Sequence, residues 1–265
     1  MEIKRNMNEQ KEILIPESVR TNVGKIHRFC AQIAVVSYPL LRLNDGNASS
    51  DLPLIHRTRL IDHGASDRPK LFFVAGPNGS GKSTLIHSLL QKEGKLRYVC
   101  ADNEATFLSD VDISLREKAA WERARSLRSA YVSEKRSFVT ETVFSHESHL
   151  SFLMEAREKG FEIVSFYVCV SSPCICAERV KKRVSQGGHD VPPLRIAPRF
   201  ERSLAQLPKL IELSDHCIVV DNSEKYEMIF YKEKDVCLLL KQPPWFEGVK
   251  AALITDGISV INGQK

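Results

Sequence analysis

The residues with the clearest chemical meaning lie in one short segment. Residues 76–83 read GPNGSGKS and match the pattern GxxxxGK[ST], in which successive backbone N–H groups curl around a phosphate. The lysine would reach the β- and γ-phosphates of a nucleotide, and the serine hydroxyl would bind Mg²⁺. The segment follows the apolar run KLFFVA and precedes a helical pattern, as this motif requires. The predicted ATP-binding residues are Gly76, Pro77, Asn78, Gly79, Ser80, Gly81, Lys82, Ser83 and Thr84, with Ser83 as the metal ligand.

Two acidic residues follow apolar runs that we interpret as strands. Asp102 comes after Val-Cys-Ala, and Glu141 comes after Phe-Val-Thr. The carboxyl ends of parallel strands line the ligand crevice in folds of this kind, so both acids are expected to face the phosphate loop. A carboxylate there can accept a proton from a substrate hydroxyl or bind the metal. The alternative for each acid is a structural salt bridge or helix cap.

A basic segment further along the chain reads ERVKKRVSQGG. Arg179 and Arg183 lie four residues apart and therefore share one face of a predicted helix. Arginines on such a lid could stabilise the charge on a phosphoryl group during transfer, and Gly187–Gly188 would supply a hinge. The alternative is a solvated basic helix, to which we assign Lys181 and Lys182. The next predicted helix adds two further candidate phosphate ligands, Arg199 and Arg202.

Apolar runs alternate with helical segments through the middle of the chain. This alternation predicts a three-layer α/β/α P-loop fold with a mainly parallel sheet, preceded by an N-terminal helical segment. Strands are predicted at 71–75, 97–101, 138–142, 162–170 and 216–220, with a terminal hairpin in 226–241. Helices are predicted at 83–91, within 113–135, around 148–159, at 174–186 and at 193–213.

Three regions follow from these patterns. Residues 1–66 form an N-terminal segment, with an amphipathic helix at 17–41 and a turn-rich linker at 44–69. Residues 67–243 form the P-loop domain. Residues 244–265 remain as a tail without an interpretable pattern.

Composition restricts the class of protein. Hydrophobic residues make up 43% and charged residues 27% of the chain, which is typical of a globular protein. No apolar run is long enough for a membrane span, and the amino terminus lacks the pattern of a secretory signal. Seven scattered cysteines without a CxxC pair indicate reduced thiols, so we expect a cytoplasmic protein. The net charge is +5, but no basic stretch is interleaved with aromatic residues. We therefore expect no nucleic-acid partner.

Four motifs in order resemble those of the zeta toxin family, including relatives named as predicted ABC-type ATPases. They are the loop AGPNGSGKST, the acid in VCADNE, the run FVTETVFS, and the series from ERVKKRVSQGGHDVPP to VVDNS. The resemblance covers about residues 69–225. It implies a kinase that uses ATP and Mg²⁺ to phosphorylate the 3′-hydroxyl of the amino sugar in UDP-N-acetylglucosamine. The product of that reaction would block cell-wall synthesis.

The resemblance also implies roles for individual residues. Lys82 and Ser83 match the lysine and hydroxyl of the family's loop, and Asp102 matches the aspartate that deprotonates the sugar hydroxyl. Glu141 matches a glutamate that contacts the substrate, and Arg179 matches the first of two phosphate-binding arginines. The implied catalytic residues are Lys82, Asp102, Glu141 and Arg179. The implied substrate-binding residues are Asp102, Glu104, Glu141, Thr142 and His189.

This chain departs from the family pattern at two positions. His189 aligns with the second arginine, and Arg183 could replace that arginine in ATP binding. In the acidic motif Asp-Asn-Glu, a shift of the alignment by one or two residues would make Glu104 the base instead of Asp102.

Alternative functions and a regulatory hypothesis remain open at this point. The chain could be a kinase of another small molecule or of a nucleic-acid 5′-hydroxyl, or a nucleotide-binding switch or ATPase that phosphorylates no acceptor. Antitoxins of the family block the nucleotide site, and residues 1–66 could act in this way in cis. The alternatives are that the N-terminal helix extends the core or forms a dimer contact.

Overall fold

The computed structural model describes residues 17, 19–26, 68–93, 96–108, 110, 112–188 and 190–263. These residues contain one eight-stranded sheet. Its strands are β1 (Lys70–Ala75), β2 (Arg97–Val99), β3 (Phe138–Thr142), β4 (Glu162–Cys169), β5 (His216–Asp221), β6 (Glu227–Glu233), β7 (Val236–Leu239) and β8 (Val260–Asn262). The strand order is β2-β3-β1-β4-β5-β6-β7-β8. The first five strands in this order are parallel, β6 and β7 are added antiparallel, and β8 runs parallel to β7.

Helices follow most of the parallel strands. They are α1 (19–26), α2 (Lys82–Glu93), α3 (Ala101–Ala105), α4 (Ile113–Ser133), α5 (Ser148–Glu158), α6 (Pro173–Ser185), α7 (Pro193–Ala205), α8 (Leu207–Leu213) and α9 (Glu247–Thr255), with a short 3₁₀ helix at Pro244–Phe246. None of the helices in the described part of the chain is both long and apolar enough to cross a membrane.

Both faces of the central strands are buried, which explains their nearly continuous apolar sequence. Leu71 and Phe73 of β1 pack in a cluster with residues of α4 to α9, whereas Phe72 and Val74 pack on the opposite face with residues of α1 and α2. All eight residues of β4 are buried. The sheet is therefore covered by helices on both sides, and the predicted three-layer P-loop fold is confirmed.

Strand β3 has its predicted bounds, but the prediction of one helix over 193–213 is wrong. The chain forms α7 and α8 in its place, with Gln206 between them. Pro208 lies in the first turn of α8. Proline has no N–H to continue the hydrogen-bond ladder of a preceding helix, whereas the first turn of a new helix tolerates it well. The break therefore falls just before this proline.

The residues that were predicted to form a tail from position 244 extend the sheet instead. Phe246 is buried and packs against Phe230 of β6, with ring centroids 5.5 Å apart. Helix α9 then leads to β8, which pairs with β7. A short amphipathic segment at a chain end gives little periodicity, so its place in the sheet depends on contacts that the sequence pattern does not reveal.

Helix α1 is the described part of the N-terminal segment, and it packs on the face of the sheet that also contacts α2. Val19 and Ile26 are seven residues apart, lie on one face of the helix, and are both buried. The Asn22 amide donates a hydrogen bond of 3.2 Å to a Glu233 carboxylate oxygen on β6. The remainder of the predicted helix 17–41 and the linker up to residue 67 lie outside the described residues.

Candidate active site

The loop of residues 76–81 connects β1 to α2 with a backbone that depends on glycine. Gly76, Gly79 and Gly81 all have positive φ angles, of 139°, 76° and 106°. A Cβ atom on Gly79 would lie 2.6 Å from the backbone oxygen of Cys176 on α6. The glycines are therefore required both by the left-handed backbone and by the close approach of neighbouring elements. The resulting loop presents backbone N–H groups at the start of α2, where an anion binds favourably.

Two residues that follow β5 and do not line the cavity support this loop. The Asn222 amide donates a hydrogen bond of 2.8 Å to the Ser80 carbonyl, and the Tyr226 hydroxyl donates one to the Gly81 carbonyl. Neither residue has a predicted role in the sequence motifs. The signal was present in the run VVDNS, which includes Asn222, but only the three-dimensional structure shows that it contacts the loop.

Lys82 is buried at the base of the loop. Its Nζ atom donates a hydrogen bond of 2.9 Å to the Pro77 carbonyl and lies 3.7 Å from a Glu141 carboxylate oxygen. Burial lowers the pKa of Lys82, and the negative charge of Glu141 partly opposes that change. A nucleotide phosphate bound in the loop would therefore either replace the Pro77 carbonyl and the Glu141 carboxylate as partners of Lys82 or contact the lysine beside them.

Glu141 lies beside the loop because of the strand register. It pairs with Val74, near the end of β1, so that β3 delivers its carboxylate next to Lys82. The Tyr98 hydroxyl of β2 donates a hydrogen bond of 2.7 Å to the second carboxylate oxygen. The predicted convergence of this acid and the P-loop lysine is therefore present in the structure.

The two acids of the Asp-Asn-Glu motif point in different directions. They lie two positions apart on α3, which corresponds to about 200° around a helix, so they cannot share a face. Asp102 is exposed and lines the cavity in front of the loop. Glu104 is buried and forms ion pairs with Arg123 at 2.8 Å and Arg97 at 3.5 Å. Of these two residues, only Asp102 is placed to meet a ligand.

Three of the four predicted arginines of α6 and α7 also meet the cavity. Arg179 donates hydrogen bonds of 2.8 and 3.0 Å to the carbonyls of Asn222 and Ser223, which hold its side chain beside the loop. Arg183, one turn later, is exposed and lines the cavity. Arg199 of α7 donates a hydrogen bond of 3.4 Å to the Asn78 side chain of the loop.

Burial and the nearby charges of Arg195 and Arg202 lower the pKa of Arg199. The other predicted basic residues of α6 and α7 are placed differently. Arg202 itself donates a hydrogen bond of 3.2 Å to the Ser145 carbonyl and is not among the cavity-lining residues. Lys181 and Lys182 are exposed and also do not line the cavity, as expected for a solvated helix face. His189 lies outside the described residues.

Thr142 and His149 form a pair on the β3 side of the cavity. The Thr142 hydroxyl and the His149 Nε2 atom are 2.9 Å apart, and both residues line the cavity. Burial, together with the positive charge of Arg128, lowers the pKa of His149 to about 4. The imidazole is therefore neutral near pH 7 and orients the Thr142 hydroxyl without adding charge. No motif or residue spacing in the sequence singles out His149.

One face of α4 completes the cavity, and sequence analysis missed it. Glu117, Trp121, Ala124 and Arg128 recur at helical spacing and all line the cavity. The hydrophobic pattern of α4 predicts a helix but not which polar residues face a ligand. The loop, Asp102, Glu141 and the arginines of three helices thus enclose one space of about 920 Å³. This volume is at the upper end of the range for small-molecule sites, about 300–1,000 Å³.

The donor atoms of this cavity suit Mg²⁺ bound together with a nucleotide. The Ser83 side chain is exposed at the start of α2 and lines the cavity with Asp102 and Glu141. Mg²⁺ prefers oxygen ligands and is usually bound by one or two protein oxygens, water and substrate phosphates. The described residues contain no group of three or more His, Cys, Asp or Glu side chains that could bind a metal ion. A nucleotide-dependent site needs no such group.

Comparison with known proteins finds chains that are similar in sequence or in fold. An uncharacterized protein of Haemophilus influenzae is 30% identical over 120 residues, which are 45% of this chain and 84% of that protein. The AvrRxo1-ORF1:AvrRxo1-ORF2 complex with sulphate ions has a similar fold, with a TM-score of 0.53 and 15% identity over 92% of this chain and 73% of that chain. A structure from the PezAT chromosomal toxin–antitoxin system of Streptococcus pneumoniae has a TM-score of 0.48 and 16% identity over 77% and 79% of the two chains.

The family is identified by a match that covers the site described above. The sequence profile of the AAA domain family (AAA_33) matches residues 71–205, from β1 to the end of α7. This range is about half of the chain and contains the loop, Asp102, Glu141 and the arginines of α6 and α7. The chain therefore belongs to the AAA domain family AAA_33 and contains a kinase-like P-loop domain.

Proposed function

We propose that this protein is an ATP-dependent kinase that phosphorylates the 3′-hydroxyl of the amino sugar in UDP-N-acetylglucosamine. The observation that carries the proposal is the shared cavity, in which Lys82 lies 3.7 Å from Glu141 and Asp102 lines the same space. A phosphoryl donor and a hydroxyl acceptor must meet in such a space for direct transfer. The resemblance of the motifs to zeta toxins supports the choice of acceptor. In a bacterium, the product would withdraw the nucleotide sugar from cell-wall synthesis.

The donor half of the proposed reaction uses the loop and α6. Backbone N–H groups of the loop, other than at Pro77, bind the β-phosphate, and Lys82 leaves the Pro77 carbonyl to contact the β- and γ-phosphates. Ser83 contributes an oxygen to Mg²⁺, which neutralises charge on the phosphates when it is bound. Arg179 and Arg183 stabilise the charge on the transferring group.

The acceptor half uses the ends of β2 and β3. Asp102 accepts the proton of the attacking hydroxyl, while Glu141 and Thr142 contact the acceptor. Tyr98 holds one Glu141 oxygen at 2.7 Å, so the carboxylate keeps its position when Lys82 moves to the phosphates. Likewise, His149 holds the Thr142 hydroxyl. These two bonds orient the acceptor-binding groups before any ligand arrives.

The test is to identify the phosphorylated product. The protein is incubated with Mg²⁺ and ATP labelled with ¹⁸O in its γ-phosphate, together with UDP-N-acetylglucosamine, other UDP-sugars, or an oligonucleotide with a 5′-hydroxyl. We expect the labelled phosphate on UDP-N-acetylglucosamine in mass spectrometry, and NMR should place it on the 3′-oxygen of the amino sugar. Labelling of another acceptor would replace the proposed substrate. Labelled inorganic phosphate without a phosphorylated acceptor would indicate an ATPase or a nucleotide switch.

The structure distinguishes the two arginines of α6. Arg179 is held by two backbone carbonyls, whereas Arg183 is exposed and must be drawn to the phosphates. We expect Arg179→Ala to lower kcat about 100-fold and Arg183→Ala about tenfold, because a pre-positioned donor contributes more to the transition state. Lys182→Ala on the same helix should change kcat less than twofold. If both arginine substitutions lowered kcat only slightly and to the same extent, Arg179 and Arg183 would belong to a solvated helix face and would not contact the transferring phosphoryl group.

The hypothesis of inhibition in cis concerns residues 1–66, most of which lie outside the described residues. Their described helix packs on the sheet through Val19 and Ile26. Asn22 of this helix is hydrogen-bonded to Glu233, which pairs with His216 at the amino end of β5. The P-loop follows the carboxyl end of β1. Because β1 and β5 run in the same direction, this contact and the P-loop lie at opposite ends of the strands. This arrangement is the one that the core-extension alternative predicts.

Substitution of Ile26 separates the two interpretations. Ile26→Ala removes buried methyl groups and should lower the free energy of unfolding by about 2–4 kcal/mol, as measured by urea denaturation. We expect no gain in kcat at temperatures where the variant remains folded. The exposed neighbour Arg20 provides the control, since Arg20→Ala should change stability by less than about 0.5 kcal/mol. A rise in kcat for Ile26→Ala alone would instead support inhibition by this helix.

A further inference from the structure

One arginine of the cavity lies apart from the others. Arg128 projects from α4, and its guanidinium lies over the Phe152 ring of α5, 5.6 Å from the centroid. Its other neighbours include Cys100, which follows β2, and His149, whose pKa it lowers. In the sheet, β2 and β3 lie on one side of β1, whereas β4, which precedes the arginine helices α6 and α7, lies on the other. Arg128 therefore belongs to the acceptor side of the loop.

The charge of Arg128 has no counter-ion in the described part of the chain. No described carboxylate lies within 4.0 Å of its guanidinium, although Arg97 and Arg123 nearby are both paired with Glu104. The side chain is partly buried, and this burial, with repulsion from Arg125, lowers its pKa. Removing an unpaired charge from water is unfavourable unless another group compensates for it. An anionic group on a ligand in this cavity would provide that compensation and could accept two parallel hydrogen bonds.

The face of α4 leaves room for such a ligand. Ala120 and Ala124 are buried small residues that line the cavity together with Trp121 and Arg128. Trp121 lies two turns before Arg128 on the same helix, lines the cavity, and is 47% exposed. The Arg125 guanidinium lies over the Trp121 ring, 5.7 Å from its centroid, and the part of the ring that remains exposed offers an apolar surface to a sugar or a base. Helix α4 therefore presents the Trp121 ring and the Arg128 guanidinium to the cavity, with only small alanine side chains beside them.

We infer that Arg128 binds a phosphate group of the acceptor and thereby selects a phosphorylated acceptor over a neutral one. This inference rests on the proposed kinase function and adds a residue that determines its acceptor specificity. Arg128 would then bind the acceptor, whereas the cations beside the P-loop bind the phosphates of ATP. A free neutral sugar would leave the charge of Arg128 uncompensated and would bind poorly.

Calorimetry with inorganic diphosphate tests this inference without requiring turnover. The full chain is first saturated with Mg²⁺ and a non-hydrolysable ATP analogue, which fills the P-loop, and diphosphate is then titrated. We expect diphosphate to bind this complex and Arg128→Gln to weaken the binding at least tenfold. Lys182→Ala, which removes an exposed cation outside the cavity lining, should weaken it less than twofold. The glutamine retains a long stem against Phe152, and a thermal melt verifies that the variant is folded.

The outcomes separate this inference from the proposed function. Diphosphate that binds wild type and Arg128→Gln equally, or that does not bind the saturated wild type, overturns the role of Arg128. Loss of binding in Arg128→Gln, combined with no phosphorylation of UDP-N-acetylglucosamine, retains the anion site and overturns the proposed acceptor. Where an acceptor is phosphorylated, Arg128→Gln should raise its KM at least tenfold and leave the KM for ATP within twofold.

Discussion

Replacing Lys82 with alanine should leave less than about 1% of the wild-type phosphotransfer rate. The Nζ atom lies at the base of the loop, bonded to the Pro77 carbonyl and 3.7 Å from Glu141. In this buried position water cannot replace a cation that bridges the β- and γ-phosphates. The substitution also leaves the Glu141 carboxylate without its cation beside the incoming phosphates, which adds repulsion. We therefore expect both a higher KM for ATP and a lower kcat.

The measurement is single-turnover transfer of the ¹⁸O-labelled phosphate at saturating ATP, with ATP affinity determined separately by calorimetry. Lys181→Ala is the matched control, because this lysine is exposed on α6 and does not line the cavity. It should retain full activity. Residual transfer above a tenth of wild type in Lys82→Ala would show that the loop is not the catalytic phosphate site.

The convergence of the loop and the acids could be predicted from sequence because it follows from sheet topology. Parallel strands bring their carboxyl ends to one edge, and the pairing of Val74 with Glu141 places that acid beside the loop. The choice between Asp102 and Glu104 could not be made in the same way. A shift of two residues in an alignment is small, whereas on a helix it reverses the direction of the side chain. The start of α3 after Cys100 decides which acid faces the cavity.

The contribution of α4 could not be predicted for a different reason. The sequence indicates a helix there, but its cavity face contains alanines, a tryptophan and an arginine, which resemble an ordinary helix surface. Arg128 becomes distinctive only when α5 is packed beside it and no carboxylate is found within reach. The same limit applies to Asn222 and Tyr226, since their contacts with the loop join residues more than 140 positions apart.

Asp102→Asn should reduce kcat at least 100-fold while ATP affinity stays within about twofold, because loss of a general base acts mainly on the chemical step. Asparagine keeps the size and the hydrogen-bonding oxygen of the side chain but cannot accept the proton of the acceptor hydroxyl. Asp102 is exposed in the cavity and makes no ion pair with the described residues within 4.0 Å. The substitution should therefore leave the free energy of unfolding nearly unchanged.

Glu104→Gln is the matched variant, two positions away, and should have the opposite profile. Its carboxylate is buried and pairs with Arg97 and Arg123, so neutralising it weakens two ion pairs. Because those arginines are about half exposed, we expect a moderate loss of about 1–3 kcal/mol in the free energy of unfolding, less than for a fully buried pair. Its kcat, measured well below the melting temperature, should fall less than fivefold. A large loss of kcat in Glu104→Gln with little change in Asp102→Asn would identify Glu104 as the base and would require α3 to rearrange when the acceptor binds.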